Sequence, residues 1–391
     1  MADSVVQFAR GGLKVSPPLS LYIHLPWCVK KCPYCDFNSH AAQGIPETAY
    51  IDALLSDLEQ ALPDIWGRKV HTVFFGGGTP SLFSAAGIDR ILTGVRTLTP
   101  LVPNAEITLE ANPGTVEAAK FAGFREAGVT RVSLGIQSFN PQHLKALGRI
   151  HDDNEACRAA ELAATHFDTF NLDLMFALPG QTLEQALADV DTALSFQPPH
   201  LSAYHLTLEP NTPFGHTAPP NLPDEDVAAD MYLAIEARLV AAGMQHYETS
   251  AYALPQHTSR HNLNYWQFGD YLGIGAGAHG KLSFHDRIIR QMRTKHPQQY
   301  MAAVAQGTHI ADTRTLTRSD LPFEFMMNAL RLSDGVPSTL FEERSGYPLH
   351  ICTDALEQAR AKGLLERSAT QLKPTLLGQR YLNDLLALFL P

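Results

Sequence analysis

Three of the chain's five cysteines sit close together as Cys28, Cys32 and Cys35, spaced C-x3-C-x2-C, directly after the strand-like run Leu21–Leu25. Thiolates at this spacing can converge on one inorganic centre. A closed structural zinc site takes four protein ligands, and an ordinary iron–sulfur cubane takes four cysteines. Three cysteines leave one iron of a cubane open, and an open coordination position is where chemistry can occur. Two other readings use the same residues. Cys32-Pro33-Tyr34-Cys35 alone is a C-x-x-C beside a strand, the pattern of a redox dithiol. Zinc could also take the three thiolates with His24 or His40 as the fourth ligand.

Further polar residues fall at strand ends. Gly76-Gly77-Gly78-Thr79-Pro80 closes the run Val70–Phe75. Glycines there let backbone approach a ligand and expose its N–H and C=O groups, and they equally suit a tight turn. Glu110 ends the run Glu106–Glu110, and Asp173 lies between apolar Leu172, Leu174 and Met175. A carboxylate at such a position can accept hydrogen bonds from hydroxyls. If Asp173 points inward it is buried and needs partners. Gln137 and Arg149 follow the run Arg131–Ile136, and a guanidinium there can pair with a carboxylate or simply sit at a solvated helix end.

These positions depend on a repeated strand–helix rhythm. Six strands are expected, over 21–25, 70–75, 106–110, 131–136, 168–176 and 201–208, each followed by a helical run. In the first helical run, Tyr50, Leu54, Leu55, Leu58 and Leu62 recur at helical spacing. Such units imply parallel strands with right-handed crossovers, in an open doubly wound sheet or a barrel. In both, ligands bind at the carboxyl ends of the strands, where the unusual residues lie. The span 245–253 reads as one added strand, and 262–281, rich in aromatics and glycine, as a structured loop over the strand ends. From about residue 315, helical runs, a short ribbon and a last helix over 376–389 suggest a winged-helix-like unit. The expected division is 1–245, 246–314 and 315–391.

Composition narrows the class. The 391 residues are 45% hydrophobic and 18% charged, enough for a large core and two or three domains. The net charge of −10 argues against a nucleic-acid partner. No apolar run approaches the roughly 20 residues that span a bilayer, and Met1–Lys14 reads as no secretion signal. Clustered, odd-numbered cysteines suit a reducing compartment, so a cytoplasmic protein is expected. Cys157 and Cys352 read as small buried hydrophobes.

The cysteine motif resembles that of the radical S-adenosylmethionine (SAM) superfamily. The resemblance implies an incomplete (β/α)6 barrel and a [4Fe–4S] cluster on Cys28, Cys32 and Cys35, with SAM on the open iron. Tyr22 to Cys28, Gly76 to Pro80, Glu110 to Pro113, Leu134 to Ser138 and Asn171 to Met175 resemble the oxygen-independent coproporphyrinogen III dehydrogenase-like family, nearly end to end. That likeness implies that Tyr22, Gly77, Gly78, Thr79, Glu110, Gln137, Arg149 and Asp173 surround SAM.

Two departures point away from the dehydrogenase itself. Its motif continues with a fourth cysteine two residues after the third, where this chain has Phe37, and its N-terminal arm is longer. Both features match the haem chaperone branch of the family. So does His261-Asn262-Leu263-Asn264-Tyr265, beside Trp266, Phe268 and Tyr271. Imidazole is a common ligand of haem iron, which makes His261 a candidate haem contact, although hydrogen bonding within a loop would also account for it. The branch implies haem as cargo and haem-requiring membrane or respiratory proteins as acceptors. It also implies transient membrane contact and a homodimer favoured by cluster and SAM. The rival reading is an enzyme that oxidatively decarboxylates coproporphyrinogen III, so whether the chain is an enzyme stays open. A third is a radical SAM enzyme with another substrate, such as a methyltransferase.

Overall fold

The computed structural model describes residues 12–41, 44–115 and 118–391. The first eleven residues, and Val116 where the third helix is expected to begin, lie outside them. Six parallel strands follow the chain: β1 (Leu19–Leu25), β2 (Val70–Gly77), β3 (Leu101–Ala111), β4 (Arg131–Gln137), β5 (Thr169–Phe176) and β6 (His200–His205). They are neighbours in that order. A doubly wound sheet reverses its order at a switch point; this one does not, and it curls as an incomplete (β/α)6 barrel.

Helices α1 (Glu47–Ile65), α2 (Ala85–Leu98), α3 (Ala118–Ala127), α4 (Asp153–His166), α5 (Leu183–Ser195) and α6 (Glu225–Ala241) return the chain between strands. Their starts are fixed by side chains. Ser84 caps α2, and Asp152–Glu155 and Thr182–Gln185 form capping boxes on α4 and α5. Apolar strand residues alternate with polar ones. Leu19, Leu21, Ile23 and Leu25 pack under the helices with Leu54, Leu58 and Ile91 in the main core. Ser20, Tyr22 and His24, one residue out of step, face the other way, as a period of two requires.

The segment after α6 departs from expectation. In place of one added strand, β7 (Gln245–Glu248) and β8 (Ala251–Ala253) form a hairpin against β6. The span expected as a loop over the strand ends instead holds helix α7 (Arg260–Trp266) and strands β9 (Asp270–Ile274) and β10 (His279–Ser283). β9 pairs in parallel with β1, and β11 (Ile288–Arg293) and β12 (Ile310–Thr315) continue outward as antiparallel strands. The glycines that suggested a loop serve close strand packing: a Cβ on Gly273 would lie 2.0 Å from the His279 carbonyl.

The C-terminal portion has its own core, with Phe325, Phe341, Leu356 and Phe389 joined by Phe268. Helix α8 (Leu321–Ala329) and the helices Thr339–Ser345 and Thr353–Ala361 accompany a ribbon that pairs Val336–Pro337 with Gln371–Leu372. The expected last helix is two short ones, Leu376–Arg380 and Leu382–Ala387.

Candidate functional site

The upper barrel encloses a cavity of about 400 Å³. Cys28, Cys32, Cys35, Gly77, Gly78, Thr79, Glu110, Gln137, Arg149 and Asp173 all line it. Tyr22 lines a second, adjoining cavity, and His261 lines neither.

The cysteine loop is tied at both ends. Trp27–Cys28 pairs with His40–Ala41, and the Cys35 N–H donates to the Cys32 carbonyl at 3.2 Å. The Asn38 amide donates to the carbonyls of Ala276 and Lys295, both at 2.9 Å, which fastens the loop to the β9–β10 side. Burial pushes the Cys28 and Cys35 thiols up; hydrogen bonds from Thr79 to the first and from Phe37 to the second oppose it.

Among the described residues no three His, Cys, Asp or Glu side chains are gathered tightly enough for one metal ion. His24 is also committed elsewhere. Its Nε2 lies 2.8 Å from the Asn38 carbonyl, which only accepts, so Nε2 donates and Nδ1 accepts the Tyr22 hydroxyl at 3.0 Å. Zinc with His24 therefore lacks its fourth ligand. A cubane is larger than one ion and takes one thiolate per iron, so three half-exposed thiols along one cavity wall fit it.

Arg149 supports the same fit. Its Nη2 donates to the Gly135 carbonyl at 2.7 Å, and Nη1 reaches Tyr34 Oη at 3.4 Å and Cys32 Sγ at 3.6 Å. Its Nε is buried with no partner among the described residues. A cation beside the cysteines with an unspent donor suits an anionic ligand. The glycine segment is constrained by packing: Gly77 has φ 116°, and a Cβ on Gly78 would lie 2.4 Å from the Trp27 carbonyl oxygen. Gln137 holds φ 69°, a left-handed conformation that costs a non-glycine residue roughly 1 kcal/mol. A bound [4Fe–4S] cluster with an open iron supplies a coordination place for SAM and one electron. Cys28, Cys32 and Cys35 would hold the cluster, and Arg149 and Glu110 would face SAM.

Below the cysteines lie two carboxylates. The Gly77 N–H donates to Glu110 Oε2 at 3.3 Å. Burial, reinforced by the charge of Asp173, pushes Glu110 up to about 8. Asp173 is also raised by burial, though it accepts hydrogen bonds from Ser133 Oγ at 3.0 Å and Asn171 Nδ2 at 2.8 Å. Two carboxylates in one enclosed space favour a ligand bearing positive charge.

Sequence reasoning missed the rest of this wall. Arg131 and Ser133, Asn171, and His200, Ser202 and Tyr204 all line the cavity. Polar residues at every second position of three otherwise apolar strands were the available signal.

His261 lies lower in the barrel, fully buried on α7. Thr72 Oγ1 donates to Ser20, so at 2.8 Å it accepts from His261 Nδ1–H, and Nε2 is left to accept from Tyr265 Oη at 2.9 Å. Burial, with Arg131 nearby, pushes the imidazole down to about 3, which keeps it neutral. Of the aromatic residues beside it in sequence, Trp266 and Tyr271 line the second cavity, whereas Phe268 is buried against Phe325.

An incomplete parallel barrel with three cysteines after its first strand, and a carboxylate-floored cavity beneath them, defines a radical SAM protein. The sequence profile of the Radical SAM superfamily matches residues 22–193, and that of the HemN C-terminal domain residues 316–381. The chain is 51% identical to heme chaperone HemW of Escherichia coli over 96% of this chain and 98% of that one. It is 49% identical to heme chaperone HemW of Haemophilus influenzae, over 96% and 98%. Its fold matches that of coproporphyrinogen III oxidase (HemN) from Escherichia coli with a TM-score of 0.81 at 23% identity, over 96% of this chain and 90% of that one. The chain belongs to the heme chaperone HemW family of radical SAM proteins.

Proposed function

We propose that this protein binds haem and transfers it to haem-requiring respiratory or membrane proteins, with a [4Fe–4S] cluster on Cys28, Cys32 and Cys35 and SAM beside it. The observation that carries this reading is the 51% identity, end to end, to a protein named as a heme chaperone. The cavity supports the cofactor part, since the Arg149 guanidinium and the Glu110 and Asp173 carboxyl groups share its wall. On this reading SAM meets Gly77, Gly78, Thr79, Glu110, Gln137, Arg149 and Asp173, with Tyr22 behind Glu110. Residues 1–245 act as the radical SAM unit, 246–314 as the layer that presents the second cavity, and 315–391 as its cover. The protein works in the cytoplasm, touches the membrane only transiently, and dimerises when cluster and SAM are in place. Among the described residues no helix is long and apolar enough to cross a membrane.

His261 contributes to haem capture through Tyr265, because both of its ring nitrogens are spent inside the barrel. The rival reading, oxidative decarboxylation of coproporphyrinogen III, draws on the fold shared with the Escherichia coli oxidase. One experiment separates them. Anaerobically reconstituted protein is titrated with haem by absorption, and in parallel incubated with SAM, a reductant and coproporphyrinogen III. Stoichiometric haem binding without decarboxylated product is expected. Turnover to protoporphyrinogen with non-saturating haem binding would replace the chaperone reading with the enzyme.

A further inference from the structure

A second cavity of about 430 Å³ adjoins the first and shares Phe37, Gly77 and Glu110 with it. It lies on the β1–β9 flank, under Asn328 of α8. Tyr22, Tyr265, Trp266 and Tyr271 give it an aromatic lining, with His24 and His279 as its imidazoles. Such a lining suits a flat, apolar, π-rich ligand. Tyr265 and Tyr271 meet edge to face at 4.4 Å, so neither ring turns freely.

The candidate iron ligands in this wall can be sorted by what they already bind. Tyr22 Oη donates to His24, whose other nitrogen donates to the Asn38 carbonyl. Tyr265 Oη donates to His261, and Tyr271 Oη accepts from Arg290 at 2.6 Å. His279 differs. It is exposed at the start of β10, and its ring makes no hydrogen bond among the described residues. Partial burial of the ring and then the charges of Lys295 and Arg290 push its basicity down, so the ring is a neutral donor at pH 7. Lys295 lies close enough for its charge to act on His279 and is itself exposed, so it can meet a carboxylate beside that ring.

We propose that this second cavity is the haem seat, with the His279 imidazole as axial ligand and Lys295 facing a propionate. The inference rests on the haem-binding reading above and places the ligand on a residue other than His261. The shared wall at Phe37 and Glu110 puts the haem edge next to the SAM compartment, which gives the two occupants a direct route of contact.

The test uses the full-length protein, reconstituted with its cluster and titrated anaerobically with haem. His279→Ala is expected to weaken binding about tenfold or more and to shift the Soret band, and added imidazole is expected to restore the band. His279→Met is expected to produce a thioether-ligated spectrum. His261→Ala is expected to weaken haem binding through the loss of the Tyr265 hydrogen bond, while the haem that does bind keeps the imidazole-ligated band. An unchanged spectrum and affinity in both His279 variants, with wild type binding haem normally, would overturn the assignment of His279 while sparing the chaperone reading. Wild type that fails to bind haem at all would overturn both.

Discussion

His261 Nε2 accepts a hydrogen bond from the Tyr265 hydroxyl at 2.9 Å, four residues on in the same helix, so a histidine sealed inside the barrel sets the position of a tyrosine that lines a cavity. The tautomer follows from Thr72, whose proton is spent on Ser20. Tyr265→Phe keeps the ring but strands a buried nitrogen, which costs roughly 1–3 kcal/mol. Chemical denaturation of the ligand-free protein should show that loss. An unchanged midpoint would mean the bond contributes nothing to the fold.

The same burial makes the protein sensitive to acid. His24 is pushed down to about 4 and His261 to about 3, both chiefly by burial, from an ordinary value near 6.5. Below about pH 6.5 the unfolded chain takes up protons that the folded chain refuses, so stability falls as pH drops. Each histidine contributes about 1.4 kcal/mol per pH unit within that window. Urea unfolding between pH 7.5 and 5 should give a shallower dependence in His24→Asn and in His261→Asn than in wild type. Parallel curves would show that the two rings accept protons in the folded state.

Glu110 works in the opposite sense. Its carboxyl is raised to about 8, so between about pH 4.5 and 8 the folded protein holds a proton that the unfolded chain has lost. Ligand-free stability therefore declines as pH rises across that range. Glu110→Gln removes the decline and should be more stable than wild type at pH 8.5, by on the order of a few kcal/mol, and nearly equal to it at pH 5. On the proposed reading the same variant should bind SAM more weakly, because the carboxylate that would face its positive charge is gone. Stability that falls equally with pH in both proteins would assign the titration elsewhere.

Much of this was legible in the sequence, for reasons particular residues make plain. Tyr50, Leu54 and Leu58 fall on one buried face of α1, as their spacing requires. The helical run after β4 is interrupted over 147–152, with Pro141–Ala146 and α4 on either side of the interruption. Cys28, Cys32, Cys35, Gly77 and Arg149 meet because parallel strands bring their carboxyl ends to one rim. What stayed hidden was non-local. Nothing in the stretch 270–274 announces that it will pair with Leu19 to Ile23, and its neighbouring glycines argue for a loop until a partner strand is placed against them. His261 was legible as a polar residue beside aromatics. Only its distances to Thr72 and Tyr265 show that both nitrogens are spent.

Arg149 should matter to SAM and not to the cluster. Its Nη1 lies 3.6 Å from Cys32 Sγ, and its Nε has no partner among the described residues. Arg149→Met keeps the stem and removes the charge. Hydrogen bonds to a charged group contribute roughly 1.5–3 kcal/mol, about ten- to hundredfold in affinity. Equilibrium dialysis with SAM should show that loss while iron and sulfide content stay at wild-type level. Loss of iron in the variant would instead make Arg149 a support of the cysteine loop.

The strands that carry Tyr271 and His279 depend on a buried charge cluster. Asp270 Oδ1 lies 2.8 Å from Lys281 Nζ and Oδ2 lies 2.8 Å from Arg68, while Ser283 donates to it through both N and Oγ. Burial pushes Lys281 down to about 8 even with Asp270 opposing. Asp270→Asn leaves that ammonium without a partner of full charge, which for a buried pair costs about 3–5 kcal/mol. The cost falls on the charged form of Lys281, so it shrinks once the lysine sheds its proton. Thermal unfolding should therefore show a large gap between variant and wild type at pH 7 that narrows by pH 9. A gap of equal size at both pH values would locate the damage in lost hydrogen bonds to Ser283 and not in the charge of Lys281. The double variant Asp270→Asn with Lys281→Met should recover part of the loss at pH 7, because the unpaired charge leaves with the lysine.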